Sequence, residues 1–245
     1  MIFVIGIGPG GREQMTGRAI ASIGEAETIV GYTFYIELLG DLVEGKEVVS
    51  TGMTREIDRC RAAVEHAFSG KNVAVVSTGD PGVYGMAGLI LELLAEMDPD
   101  GKVEVEVVPG VSAANGAASL LGAPLMTDYA VVSLSDLLTP WEVIERRLEG
   151  AGAGDFVVAI YNPRSKKRVK HLNRACDILL KYRDGETPVG IVRNALREGQ
   201  SITLTTLGRA ASEEVDMMSI VIVGNSQTRF IGERMVTPRG YPVGE

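Results

Sequence analysis

Apolar residues occur along the chain in short blocks separated by amphipathic stretches, and the two differ in period. Residues 2–5, Ile-Phe-Val-Ile, are apolar without a break and predict a buried strand. Residues 19–26 predict a helix with Thr16 as its N-cap. Two more strands are expected at 28–30 and 47–49. Residues 54–68 predict a helix, because Ile57, Cys60, Val64, Ala67 and Phe68 recur at helical spacing, and Gly70 ends it. A buried strand at 73–76 leads to a helix at 87–97. Residues 103–108 alternate Val with Glu before turning fully apolar, the pattern of a strand near a sheet edge. This rhythm predicts a mostly parallel sheet with helices on both faces.

The small-residue stretch 112–121 closes this half. Gly122-Ala123-Pro124-Leu125 reads as a crossover, so domains are expected over 1–121 and 122–245. In the second half, strands are predicted at 129–134, 156–161, 189–192, 202–206 and 219–223. Thr139-Pro140-Trp141-Glu142 is a helix start with Thr as N-cap, and residues 150–154 read as a Gly/Ala loop. A helix is predicted over 165–182, capped by Ser165. The Ser-Ile-Thr-Leu-Thr-Thr run alternates polar with apolar, which suits antiparallel pairing and makes this sheet mixed. The Pro/Gly-rich residues 237–245 predict a loose tail.

Composition narrows the function classes. The chain has 245 residues, with 32 acidic and 24 basic side chains and a net charge of −8, which argues against a general nucleic-acid binder. Two cysteines, Cys60 and Cys176, supply no disulfide framework. The two histidines, His66 and His171, have no metal-ligand spacing, so no protein-bound metal is expected. No apolar run approaches the roughly 18 residues of a membrane span. The first residues lack the basic stretch of a secretory leader. A cytoplasmic, reduced protein is expected.

Thirty glycines, many of them between strands and helices, point to loops that approach a ligand closely. Gly6-Ile7-Gly8-Pro9-Gly10-Gly11 follows the first strand and formally matches GxGxxG. Against a dinucleotide site, Pro9 removes a backbone donor, the helix cap comes only at Thr16, and the second strand runs into Gly31-Tyr32 without a ribose-binding acid. Ser77-Thr78-Gly79-Asp80-Pro81-Gly82-Val83-Tyr84 leaves another strand; its Asp80 suits a helix cap or a ligand acceptor. Val108-Pro109-Gly110-Val111-Ser112-Ala113 is a third strand-end turn, with Ser112 a cap or a contact. Tyr161-Asn162-Pro163-Arg164-Ser165-Lys166-Lys167-Arg168 makes a basic patch in which Arg164, on the loop, is the better anion binder. Val192-Arg193-Asn194-Ala195 is the fifth. Loops at the carboxyl ends of parallel strands are where open α/β sheets hold ligands.

In this order and spacing the five clusters resemble the S-adenosylmethionine-dependent tetrapyrrole methyltransferases, over residues 2–228. The GxGPG opening, the GDP loop and the PGVSA turn resemble the class as a whole. Gly31-Tyr32, Tyr35-Ile36, the Tyr161–Ser165 run and the Gly190–Ala195 run are similar to its precorrin-3B or cobalt-factor III C-17 subgroup, of cobalamin biosynthesis. One departure is Gly11, where many members carry Asp after GPG. The resemblance implies two α/β domains, the first with a mostly parallel sheet and the second with a mixed one, a cofactor cleft between them, and a homodimer. It implies transfer of a methyl group from S-adenosylmethionine to C-17 of the macrocycle with associated ring contraction. By position, it implies cofactor contacts from Pro9, Gly79, Asp80, Val83, Tyr84, Ser112, Ala113, Tyr161 and Ala195. The carboxylates of a tetrapyrrole would be met by Arg164, Arg193 and Arg12. No catalytic side chain is assigned. The alternatives are methylation at another precorrin or uroporphyrinogen position, an NAD(P)-dependent oxidoreductase using Gly6–Gly11, and a non-catalytic tetrapyrrole carrier.

Overall fold

The computed structural model describes residues 1–242. The chain divides into two compact units, Met1–Ala113 and Ala114–Glu245; residues 243–245 of the expected tail lie outside the described residues. No described helix is long and apolar enough to cross a membrane.

The first unit contains β1 (Ile2–Gly6), α1 (Gly17–Glu25), β2 (Thr28–Tyr32), α2 (Thr33–Glu37), β3 (Glu47–Thr51), α3 (Glu56–Phe68), β4 (Val73–Ser77), α4 (Ala87–Met97) and β5 (Val105–Val108). The five strands form one sheet in the order β3-β2-β4-β1-β5, parallel throughout. Period-two alternation splits the apolar strand residues between the faces. Ile2, Val4, Val30, Val73 and Val75 pack with α3 and α4, whereas Phe3, Ile5, Ile29, Ala74 and Val76 pack with Ala19 and Ile23 of α1 and with Ile36. Thr16 caps α1 as expected: its Oγ1 accepts the Ala19 N–H at 3.1 Å. β5 lies at the edge, as its Glu residues foretold. The expected helix start at Thr54 moves to Glu56, because Thr54 is held left-handed at φ 65°.

α5 (Ala113–Leu121) opens the second unit. After it come β6 (Gly122–Ala123), β7 (Tyr129–Ser133), α6 (Trp141–Ala153), β8 (Val157–Tyr161), α7 (His171–Leu179), β9 (Pro188–Arg193), β10 (Ser201–Thr206), α8 (Leu207–Ala210), β11 (Ser219–Val223), β12 (Arg229–Ile231) and β13 (Arg234–Val236). The main sheet runs β10-β9-β11-β8-β7. Only β7 and β8 are parallel neighbours, so the sheet is mixed. One face packs Val158, Ile160, Val189, Ile191, Val221 and Val223 against α6, α7 and α8.

Several boundaries differ from the pattern reading. The expected loop at 150–154 is helical to Ala153. Gly152 packs beneath Tyr182, where a Cβ would lie 2.6 Å from the ring, so close packing outweighs glycine's poor helix propensity. Pro140 rather than Thr139 is the N-cap of α6. The helix expected over 165–182 shrinks to α7, because Ser165 Oγ accepts the Arg168 N–H at 3.1 Å and closes a turn instead of capping a helix. The crossover at Gly122 is a strand, β6, paired parallel with β13. The hairpin β12–β13 carried no readable alternation. The tail starts firmly: Thr237 is fully buried, donates to Pro124 O at 2.7 Å and hydrogen-bonds Thr228 Oγ1 at 2.8 Å.

Candidate functional site

In the first unit, three of the five clusters, the glycine-bearing ones, meet at one edge of the sheet. Because β4, β1 and β5 are parallel neighbours, their carboxyl ends open side by side. Gly8 and Gly79 form an antiparallel bridge, with Gly8 N donating to Gly79 O at 3.1 Å and Gly79 N to Gly8 O at 2.8 Å. Thr78 Oγ1 adds a bond to Gly8 O at 3.3 Å. A Cβ on Gly6 would lie 2.6 Å from Gly79 O and 2.7 Å from Gly110 N, and one on Gly110 would overlap Gly79 O. The loop backbones touch where no side chain has room, which makes a rigid floor of peptide groups.

Asp80 fastens that floor. Its Oδ1 accepts the Gly82 N–H at 2.8 Å and its Oδ2 the Gly110 N–H at 3.1 Å, so one carboxylate closes its own turn and ties it to the third loop. The expected helix cap is not its role, because α4 begins only at Ala87. Tyr84, in the same loop, is 55% exposed and left-handed at φ 56°. A non-glycine residue held there costs on the order of 1–3 kcal/mol, and such residues concentrate at ligand sites. Ser112 and Ala113 border Gly79: a Cβ on Gly79 would be 3.5 Å from Ala113 N and 3.9 Å from Ser112 Cα. Pro9 follows the bridged Gly8, and Val83 donates its N–H to Asp80 O at 3.2 Å. All seven residues expected of this unit therefore belong to the three joined loops.

The dinucleotide alternative loses its helix here. After Gly11 the chain makes a 3-10 turn at Arg12–Gln14, and α1 starts only at Gly17, so the helix that follows the glycines does not begin at them.

In the second unit, Tyr161 and Arg193 stand at the ends of β8 and β9, with Ala195 two residues beyond. These strands are each antiparallel to β11, so they run in the same direction and end on the same edge. Tyr161 Oη accepts the Ala114 N–H at 2.9 Å, in the first turn of α5. Asn162 (φ 51°), Asn194 (φ 48°) and Leu196 (φ 59°) concentrate left-handed backbone at this edge. Asn162 Nδ2 donates to Ser133 Oγ at 2.9 Å.

The three arginines expected to hold substrate already have protein acceptors. Arg164 donates to Ala211 O at 2.9 Å, Glu213 O at 3.5 Å and Asn173 Oδ1 at 3.4 Å. Arg193 pairs with Asp216 at 2.8 Å. Burial raises the Asp216 carboxyl, but the hydrogen bonds from Arg193, Met218 N–H and Ser219 outweigh it and hold the group below its usual range. Arg12 pairs with Asp41 at 3.1 Å on the surface. Missing from the sequence reading was a contact between the turn after β7 and the start of α7: His171 Nε2 lies 2.9 Å from Asp136 Oδ2 and its ring stacks edge-on against Trp141 at 4.8 Å. Among the described residues, no group of three His, Cys, Asp or Glu is placed to hold a metal ion.

Residues 1–211 match the signature of the Tetrapyrrole (Corrin/Porphyrin) Methylases. The chain belongs to that family. It is 53% identical over 241 residues to a probable cobalt-factor III C(17)-methyltransferase of Salmonella typhimurium, covering 98% of this chain and 99% of the relative. It is 50% identical over 242 residues to the cobalt-factor III methyltransferase of Priestia megaterium, covering 98% of this chain but only 45% of that longer protein. The crystal structure of the methyltransferase CobJ superposes with a TM-score of 0.92 at 38% identity, covering 97% of this chain and 99% of CobJ. These likenesses accord with the two α/β units and with the resemblance drawn from the loops.

Proposed function

We propose that this methyltransferase transfers a methyl group from S-adenosylmethionine to C-17 of a precorrin-3B or cobalt-factor III type tetrapyrrole, with associated ring contraction, in cobalamin biosynthesis. The observation that carries the reading is the 53% identity spread over nearly the whole of both chains, with a relative bearing that activity in its name. The joined loops of the first unit support the donor reading: their backbones converge at the carboxyl ends of β4, β1 and β5, where parallel sheets hold ligands. Pro9, Gly79, Asp80, Val83, Tyr84, Ser112 and Ala113 would hold it, with Tyr161 and Ala195 as the contacts carried over from the second unit. Bound there, S-adenosylmethionine supplies a methyl group on a positively charged sulfur, activated for in-line displacement by carbon.

The protein's own work is therefore positional. The bridge between Gly8 and Gly79 and the two bonds of Asp80 set the loops before any ligand arrives, so little ordering is left for binding. Arg12, Arg164 and Arg193 would meet substrate carboxylates by exchanging or sharing their present acceptors. The macrocycle is an electron-rich, enamine-like nucleophile, so no strong general base is required of the two histidines. A homodimer in the cytoplasm completes the proposal.

Calorimetric titration with S-adenosylhomocysteine tests it. Micromolar binding is expected, and no binding at millimolar ligand overturns the reading. Asp80→Ala should weaken that binding much more than Arg164→Ala, since it releases two loops at once. The mass and NMR spectrum of the product, from cobalt-loaded and metal-free trimethylated substrates, distinguish C-17 from other positions.

A further inference from the structure

We propose that Tyr32, Phe34 and Tyr35, extended by Met53 and Ile57, form the surface on which one face of the tetrapyrrole macrocycle lies; this deepens the reading above and rests on it. In a chain with one Trp, seven Tyr and five Phe, three aromatics fall within four positions. They do so where β2 ends. β2 is hydrogen-bonded to β4 in a parallel sheet, so Tyr32 opens on the same edge as the Ser77–Gly79 turn of the joined loops. The rings form one cluster. Tyr32 and Tyr35 meet edge to face at 5.1 Å and 86°, and Phe34 lies 6.5 Å from Tyr32 and 6.3 Å from Tyr35. All three are half-buried.

The cluster is braced from behind. Arg59, buried at 3% exposure, donates to Thr51 Oγ1 at 2.8 Å and Gly52 O at 3.0 Å, and its guanidinium sits over the Tyr32 ring at 6.0 Å. The loop that follows β3, the other neighbour of β2, exposes Met53 by 62% and bends through left-handed Thr54, and the first turn of α3 exposes Ile57 by 57%. Apolar side chains exposed just after β3, the strand paired with β2, together with the half-buried ring cluster make a patch of the kind that marks a binding surface. The segments that follow β1 and β3 carry Arg12, paired with exposed Asp41, and Arg55, paired with exposed Asp58. Surface pairs of this kind hold little free energy, so either guanidinium is available to a competing carboxylate. An apolar patch with exchangeable cations on neighbouring loops complements a conjugated disc edged with carboxylates. Aromatic rings meet such a disc face-on or edge-on whatever its substituents, and the cations orient it.

The probe is uroporphyrin III, a stable macrocycle bearing eight carboxylates, titrated by its Soret band against wild type, Phe34→Leu/Tyr35→Leu and Met53→Glu. S-adenosylhomocysteine calorimetry and sedimentation are run on each. The double variant is expected to bind the macrocycle at least tenfold more weakly and S-adenosylhomocysteine within twofold of wild type. Met53→Glu changes no packing at its exposed position and is expected to weaken the macrocycle at least threefold through charge repulsion, so the outcome holds even if the double variant misfolds. Macrocycle affinity within twofold of wild type in Met53→Glu overturns the proposal. So does a fall in mass of that variant with macrocycle binding intact, which gives the patch to a second copy of the chain. Wild type that takes up S-adenosylhomocysteine but no uroporphyrin removes the platform and leaves the methyltransferase reading standing; the opposite pattern removes that reading instead.

Discussion

Asp80 shows how a single side chain can organise a site by bonding to backbone. Its two oxygens serve two loops, and the partner glycine of the second is 30 positions away in sequence. The sequence marks Asp80 as a polar residue in a glycine turn, but pairing over that distance leaves no local pattern. Glycine spacing was more readable, because a strand followed by Gly signals close backbone approach wherever it occurs. Gly110→Ala tests how tight that approach is. Its Cβ would overlap Gly79 O and lie 2.8 Å from Gly6 C, so about 1–3 kcal/mol of stability should be lost, with at least a tenfold loss of S-adenosylhomocysteine affinity. Gly88→Ala, in α4 with open space around it, is the control and should stay within about 1 kcal/mol of wild type. Urea unfolding of both variants decides the point. Arg164 was legible as a loop cation. Its carbonyl partners, Ala211 and Glu213, were not, lying 47 and 49 residues further on.

At the scale of elements, strands declared themselves better than helix ends. β1 and β4 are buried on every residue, and apolar up to their closing Gly6 and Ser77, because both sheet faces are covered. Helix limits depended on contacts the pattern does not carry, such as Gly152 beneath Tyr182 and Ser165 folding back on Arg168. The turn after β7 is tied to the first residue of α7 by Asp136 and His171. The hydrogen bond from His171 holds the Asp136 carboxyl below its ordinary range. A lowered native value means that the charged form stabilises the fold above about pH 4, and that this share disappears as pH falls through the lowered value. Asp136→Asn should therefore unfold at lower urea than wild type at about pH 5, with the gap closing toward about pH 2.5. A gap that survives in acid would assign the contact to packing alone.

For the whole molecule, the alternation of strand and helix was enough to predict two α/β units and the parallel and mixed character of their sheets. The hairpin β12–β13 and the short β6 were missed, since two- and three-residue strands have no period to detect. Ligand linkage gives a test at this scale. At about one hundred times its dissociation constant, a ligand bound only to the folded state adds about 2.7 kcal/mol. For a chain of this size that raises the thermal midpoint by roughly 5–10 °C. S-adenosylhomocysteine should produce that shift in a thermal melt and NADH should not. Pairing of β13 with β6, sealed by Thr237 on Pro124, has a further effect on how the chain is made. Every strand of the first sheet has left the ribosome once Val108 is clear of it. In the second unit Gly122 and Ala123 cannot pair until the chain has been made as far as Val236.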